Sequence, residues 1–230
     1  MSIIISVIDK NHLYSNGLQL VLNQLIIQPD FYKMIDIDLL LACGAAFKKL
    51  SAGNIIFNEG SNCSFYYQLV TGSVRLTNID EEGKEYIQTF IQPGECFGEL
   101  SLFDEGPYSA TAIADEETVV IRLHRSIFQK LITEDQQLHF AFSKLLAQSM
   151  RFKFILLKAL SGHDPEIKIT TLLNYFKKEN KNFCSDCNQL KLTRRQIADM
   201  TGLRVETVIR SMRNMHDKGQ LLINKGKVYC

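Results

Sequence analysis

The chain of 230 residues has no tryptophan, only 4 prolines, and no excess of either charge, with 26 Lys and Arg against 25 Asp and Glu. It also lacks any uninterrupted apolar stretch near the roughly 18–20 residues that a membrane span needs, so no membrane partner is expected. The apolar start Met1–Ile8 has no basic flank and meets Asp9 too soon for a secretory leader, which reads as a cytoplasmic protein. With 46% hydrophobic and 22% charged residues, neither a disordered chain nor a coiled-coil rod fits. Six cysteines at scattered spacing make no disulfide frame and read as mostly reduced thiols.

The balanced charge is unevenly distributed. Residues 164–230 carry 13 Lys and Arg against 7 Asp and Glu, a balance of +6, and residues 1–163 carry 13 against 18. A basic last third on an acidic body points to a polyanion met by the tail alone, or else to a solvated surface. Upstream, Gly53, Gly60, Gly72, Gly83, Gly94, Gly98 and Gly106 pace short β-branched and aromatic runs such as Ile55–Phe57, Phe65–Tyr67, Val74–Thr77, Tyr86–Phe90 and Thr118–Leu123. Strands at that spacing predict an antiparallel sandwich or barrel. Asp80-Glu81-Glu82-Gly83 predicts a hairpin turn, with glycine free to take positive φ.

From Gln136 to Leu160 the period changes. Leu138, Phe142, Leu145, Phe152, Leu156 and Ala159 make one helical stripe, and Leu146, Met150, Phe154, Leu157 and Leu160 adjoin it. This predicts one helix of about 25 residues, near 37 Å long. Its apolar face is too wide for its own small domain, and either a symmetry mate or a second domain of the same chain must cover the rest. Gly162 and Pro165 close it. Next come a helix over 166–179, a polar hairpin over 181–192, two short helices and a final hairpin. At the other end, Ile3–Ile8 reads as a strand and His12–Ile27 as a helix.

Thr193-Arg194-Arg195-Gln196 is a capping box ahead of Ile197, Ala198 and Met200, and Gly202 supplies a sharp turn. A second helix follows from about Arg204, with Val208, Met212 and Met215 facing inward and Glu206, Ile209, Arg210 and Arg213 outward. Two helices about a glycine turn, the second with outward polar groups, make a helix-turn-helix. Leu221–Ile223, the turn Asn224-Lys225-Gly226-Lys227 and Val228-Tyr229 make a basic wing.

These segments resemble the Crp/Fnr transcription regulators. Thr193–Ala198, Thr201-Gly202-Leu203 and Val205-Glu206-Thr207 with Arg210 are similar to that family's helix-turn-helix. Gly72-Ser73-Val74, Asp80–Glu85 and Gly98-Glu99-Leu100-Ser101-Leu102-Phe103 are similar to its cyclic-nucleotide-binding β roll. The resemblance covers about residues 45–230 and implies an α+β fold: an N-terminal antiparallel β roll, a long dimerisation helix and a C-terminal winged helix-turn-helix. The domains are then residues 1–30 (an N-terminal extension), 31–133 (β-roll sensor), 134–163 (dimerisation helix) and 164–230 (DNA-binding winged helix).

The resemblance makes Glu206 and Arg210 the base readers. Four residues apart on one exposed helical face, they suit a cytosine amino group and a guanine edge, or each other as a surface ion pair. Val205 matches the Fnr branch, whereas Ile209 stands where that branch uses serine. Thr193, Arg194, Arg195, Arg204, Thr207, Arg213, Lys225 and Lys227 are assigned to the DNA backbone. The implied function is a homodimeric regulator on a near-palindromic site of double-stranded DNA, with RNA polymerase as a further partner and an effector in the β roll. A ligand-sensing module that acts through a protein partner is the alternative.

For the effector, the resemblance marks Gly98, Glu99, Leu100, Ser101, Tyr108 and Ser109. Cyclic AMP is disfavoured, because Tyr108 stands where the family's phosphate-binding arginine precedes a Ser-Ala pair. Leu156 and Leu157 also cannot hydrogen-bond an adenine, and an unpaired buried phosphate is heavily penalised. Only Cys43 precedes the roll, so the ligand set for an iron–sulfur cluster is missing. His12, His124, His139 and His163 have no distinctive setting for haem. Cys184-Ser185-Asp186-Cys187 has no second pair for zinc, and it lacks the strand-turn-helix context of an oxidoreductase. Two reduced thiols or a redox switch remain for it. No catalytic residue and no metal site is expected, so the chain reads as a regulator rather than an enzyme.

Overall fold

The computed structural model describes residues 34–184 and 186–230. The strand and helix expected over Ile3–Ile8 and His12–Ile27 lie outside the described residues. Eight strands make two four-stranded antiparallel sheets: β1 (Ala46–Leu50), β2 (Ile55–Phe57), β3 (Phe65–Thr71), β4 (Val74–Ile79), β5 (Glu85–Ile91), β6 (Cys96–Phe97), β7 (Thr111–Ala114) and β8 (Thr118–His124). One sheet has the order β1-β8-β3-β6 and the other β2-β7-β4-β5, the jelly-roll arrangement expected of a β roll. The β4–β5 turn forms at Asp80–Gly83, where Gly83 takes φ +80° and the Asp80 carboxylate accepts from the Glu82 and Lys84 amides. Three strands escape the glycine-paced reading: β1 runs through two exposed or half-exposed lysines, β6 is two residues long, and β7 is mostly alanine and threonine.

Strand β3 shows why period two can fail as a signal. On one face Tyr67 meets Phe57 and Phe97 inside the roll; on the other, Tyr66 stacks on Phe128 at 4.9 Å and meets Phe142 edge-on. Both faces are covered, so the strand reads as a continuous apolar run. Its single polar side chain there, Gln68, is buried and satisfied by the Ile35 amide, the Ile35 carbonyl and the Tyr66 hydroxyl. That pairing removes the cost of burying an amide.

Seven helices complete the described residues: α1 (Ile37–Ala42), α2 (Leu100–Phe103), α3 (Arg125–Glu134), α4 (Gln136–Ser161), α5 (Pro165–Lys178), α6 (Arg194–Thr201) and α7 (Val205–Asp217). A capping break separates α3 from α4: the Asp135 carboxylate accepts from the Gln137 and Leu138 amides. Gly162 ends α4 in extended geometry, with φ −76° and ψ 162°, so the stop is not a left-handed cap. The next helix starts at once, with Asp164 as its cap and Pro165 in its first turn. The polar hairpin of 181–192 is looser than its sequence suggested, with one antiparallel bridge, Phe183 to Leu190, and positive φ at Asn182 and Asn188.

Helix α4 divides its apolar residues in two. The Phe142–Ala159 stripe is buried or half-buried, and Phe152 stacks on Tyr175 of α5. Phe140, Met150, Phe154, Ile155 and Leu157 stay exposed, Phe140 at 73%. The winged segment also shares its core with the roll. Ile87 and Phe90 of β5 lie in one buried cluster with Ile169, Leu172, Ile197, Val208 and Met212. Lys181 pairs with Glu95 across that junction at 2.5 Å, and the Lys153 ammonium donates to the Gln88 side chain.

Candidate nucleic-acid interface

The reading head is built from local signals that agree with one another. Thr193 Oγ1 accepts from the Gln196 amide at 3.1 Å while Gln196 Oε1 accepts from the Thr193 amide at 2.9 Å, a reciprocal capping box on α6. Gly202 ends that helix at φ +68°, a conformation that favours glycine, and turns the chain into α7. Arg204 sits at the α7 cap position without a side-chain bond to the helix. Its guanidinium is therefore not used for capping. On α7, Val208, Ser211, Met212 and Met215 are buried, whereas Glu206, Ile209, Arg210 and Arg213 are exposed. Burying one stripe of a 13-residue helix fixes its rotation and leaves Glu206 and Arg210 together on the outer face. Thr207 is half-buried at the edge of that face.

The wing is β9 (Leu222–Asn224) paired antiparallel with β10 (Lys227–Tyr229). Lys225 and Gly226 form its two-residue loop with φ of +46° and +79°, the geometry of a type I′ turn. Val228 is buried beneath it, and Lys225 and Lys227 are exposed at the tip. Of the other candidates, Arg194 is half-buried and Arg195 is exposed but tethered, its Nε 3.0 Å from Asp199 on the next turn. The Thr193 hydroxyl is engaged in the cap. Sequence reasoning anticipated neither the Asp199 tether nor the Lys181–Glu95 and Lys218–Glu166 pairs. For Arg195 the i,i+4 spacing was a usable signal; the other two join residues far apart in sequence.

The six residues marked for an effector fall in two groups. Gly98 packs against aromatic rings: a Cβ there would lie 2.9 Å from Tyr108 and 3.0 Å from Phe57, and its φ is +73°. Tyr108 is buried and stacked on Phe57 with centroids 3.7 Å apart, and its hydroxyl donates to the Phe65 carbonyl. Burial pushes that phenol far above its usual range. Ser101 is buried and donates to the Pro107 carbonyl, while Leu100 and Ser109 are exposed. Glu99 begins α2 without a capping bond. Burial raises its carboxyl above the ordinary range, with Glu95 pushing the same way and Lys153 and Lys181 opposing. Leu156 packs on the winged core, and Leu157 is exposed. Tyr108 is thus a ring that fills the roll.

A helix-turn-helix whose second helix turns polar side chains outward beside a basic wing defines a DNA-binding winged-helix regulator. The cyclic nucleotide-binding domain family matches residues 47–135, and the Crp-like helix-turn-helix domain family matches residues 169–229. The cAMP-activated global transcriptional regulator CRP of Pasteurella multocida is 30% identical over 172 residues, 74% of this chain and 82% of its own length. The cyclic AMP receptor protein of Thermus thermophilus is 28% identical over 176 residues, 76% of this chain and 79% of its own. The structure of FixK2 from Bradyrhizobium japonicum, at 24% identity, superposes with a TM-score of 0.68 over 80% of this chain and 91% of that one, which shows a shared fold. The chain belongs to the Crp/Fnr family of transcription regulators. Its relatives regulate transcription and are not enzymes. No helix among the described residues is long and apolar enough to cross a membrane.

Proposed function

We propose that this regulator works in the cytoplasm as a homodimer on a near-palindromic duplex, with Glu206 and Arg210 of each copy reading base edges in successive major grooves. The observation that carries the reading is the outer face of α7, where both side chains are exposed in the first two turns over a buried apolar stripe. Arginine offers two donors to guanine, and glutamate accepts from the cytosine amino group. Lys225, Lys227, Arg204, Arg213, Arg194, Arg195, Thr193 and Thr207 supply contacts to phosphate, with Thr193 and Arg195 the most constrained by their internal bonds. Val205 gives the half-site an Fnr-like cast, altered at Ile209.

For the pairing of two copies, the exposed residues of α4 supply the argument. Phe140, Ser143, Ala147, Met150, Phe154, Leu157 and Ser161 recur at alternating spacings of three and four, and all are exposed. That average of 3.5 is the spacing of a left-handed coiled-coil seam. In this reading RNA polymerase is the further partner, and an effector in the β roll biases the dimer between competent and incompetent packings. Such a ligand must displace Tyr108 from Phe57, and it meets a phenol rather than a cation, which argues against cyclic AMP.

Random-duplex selection on the purified protein, repeated with candidate nucleotides, tests the reading. The expected product is two inverted half-sites with centres one helical turn apart. Recovery of no enriched sequence, together with retained binding of a protein partner, would replace it with a module that acts through protein contacts.

A further inference from the structure

The DNA reading leaves one pair of side chains unused. Cys184 and Cys187 lie at the tip of the 181–192 hairpin, Cys187 exposed and Cys184 half-buried. The turn is closed by the Asn188 amide donating to the Cys184 carbonyl at 3.0 Å. One turn of chain brings residues three apart to the Cα separation of about 4.4–6.8 Å that a disulfide spans. The backbone of Asp186, followed by the thiol and backbone of Cys187, holds the Cys184 thiol below its ordinary range, a direction that favours a thiolate. Of the other cysteines, Cys63 and Cys96 are buried, and burial raises the thiols of Cys96 and Cys230. No group of three or more residues that could hold a metal ion occurs among the described residues.

The turn is also joined to the wing. The Leu190 amide donates to the Val228 carbonyl at 2.8 Å, Gln189 bridges to Tyr229, and the Cys230 amide donates to the Asn188 carbonyl. The residues following Cys187 thus run beside β10, whose other end carries Lys227.

We propose that Cys184 and Cys187 form a redox site at which a peroxide converts the dithiol to an intramolecular disulfide, and that the wing is its readout. The Cys184 sulfur attacks one peroxide oxygen and the O–O bond breaks. The departing oxygen takes the thiol proton and leaves as water, and Cys184 becomes a sulfenic acid. The Cys187 sulfur then attacks the Cys184 sulfur. The S–S bond forms, the S–O bond breaks, and the hydroxyl leaves with the Cys187 proton as a second water. Two electrons pass from the thiols to the peroxide, and a dithiol reductant reverses the change. The wing half of the proposal rests on the DNA reading above, whereas the chemistry does not.

The test treats the full chain with hydrogen peroxide, alkylates the remaining thiols and digests with trypsin. The expected result is a 182–191 peptide that has lost two hydrogens and taken up no alkylating agent. In Cys187→Ser, Cys184 should accumulate as a sulfenic acid trapped by dimedone. Alkylation of both thiols after peroxide, or pairing of either with another cysteine, overturns the site. Affinity for the selected duplex should then differ between reduced and oxidised protein by about fivefold or more, the lower end of ordinary coupling between sites. Dithiothreitol should restore it, and the double Cys→Ser variant should show no difference. Equal affinities of the two forms overturn the wing coupling. A reduced protein that binds no duplex instead sinks the DNA reading, and the peptide result still decides the chemistry.

Discussion

Arg210 and Lys227 carry the same charge and are both exposed, yet they play different parts in the proposed complex. A guanidinium on a base edge distinguishes one base pair from another, whereas an ammonium on phosphate does not. Arg210→Ala should therefore cost about 1–3 kcal/mol on the selected site and relax one position. Lys227→Ala should weaken all duplexes alike and flatten the salt slope by about one. Titrations at several salt concentrations separate the two, and identical behaviour of the variants would remove the distinction. Glu99 yields a prediction of a different kind. Its carboxyl titrates higher folded than unfolded, so the folded protein holds the proton more tightly. Folding is then favoured while the group is protonated. That contribution disappears as pH rises from the unfolded value, about 4.3, through the raised folded value. Glu99→Gln should stabilise the protein at neutral pH, with the gain shrinking as the pH falls toward the ordinary carboxylate range. Urea unfolding of both proteins across that range measures it, and a gain that grows in acid would contradict the assignment.

Elements fold here on signals that differ greatly in visibility. Thr193 and Gln196 announce the start of α6 in four residues, and Thr193→Ala should cost about 1 kcal/mol by leaving the Gln196 amide without its side-chain acceptor. The Gly98 turn of the roll is more demanding, since a side chain there meets both positive φ and the Phe57–Tyr108 stack. Gly98→Ala should lose more than about 1 kcal/mol, seen as a lower urea midpoint with an unchanged slope. The winged helix was legible because caps, a left-handed glycine and a 3.6-residue period are written locally around Thr193, Gly202 and Val208. The roll was legible in its aromatic and β-branched strands, β2 to β5 and β8. Strand β1 depends on β8 for its place, pairing Ala46 through Leu50 with Arg122 back to Thr118, and nothing in Ala46-Phe47-Lys48-Lys49 records that partner. Tyr108 marked the loss of a cation, but its stack on Phe57 joins residues 51 positions apart and could not be read in advance. The junction of Ile87 and Phe90 with the winged core was invisible for the same reason.

At the scale of the whole molecule, the two faces of α4 meet different demands. One stripe of that helix is consumed inside the chain by Tyr66, Phe128 and Tyr175. The other leaves Phe140, Met150, Phe154 and Leu157 in solvent, side chains whose burial is each worth about 1.5–3 kcal/mol. A second copy using the same seam covers both sets at once, because a twofold contact is self-complementary. In the proposed dimer that seam would fix the separation of the two α7 helices and hence the spacing of the half-sites. Phe154, 63% exposed near the middle of the seam, is the place to interrupt it. Phe154→Glu would bring two like charges together across the twofold axis while leaving the monomer's core intact. Sedimentation should show the parent as a dimer and the variant as a monomer at the same concentration. On DNA, inserting about five base pairs between half-sites, half of the 10–10.5-pair turn, should reduce the parent's affinity to that of a single half-site. The variant should bind the original and the lengthened duplex equally, since no second head is tied to the first. A parent indifferent to that insertion would mean that α4 does not set the spacing, and the covering of its exposed face would need another partner.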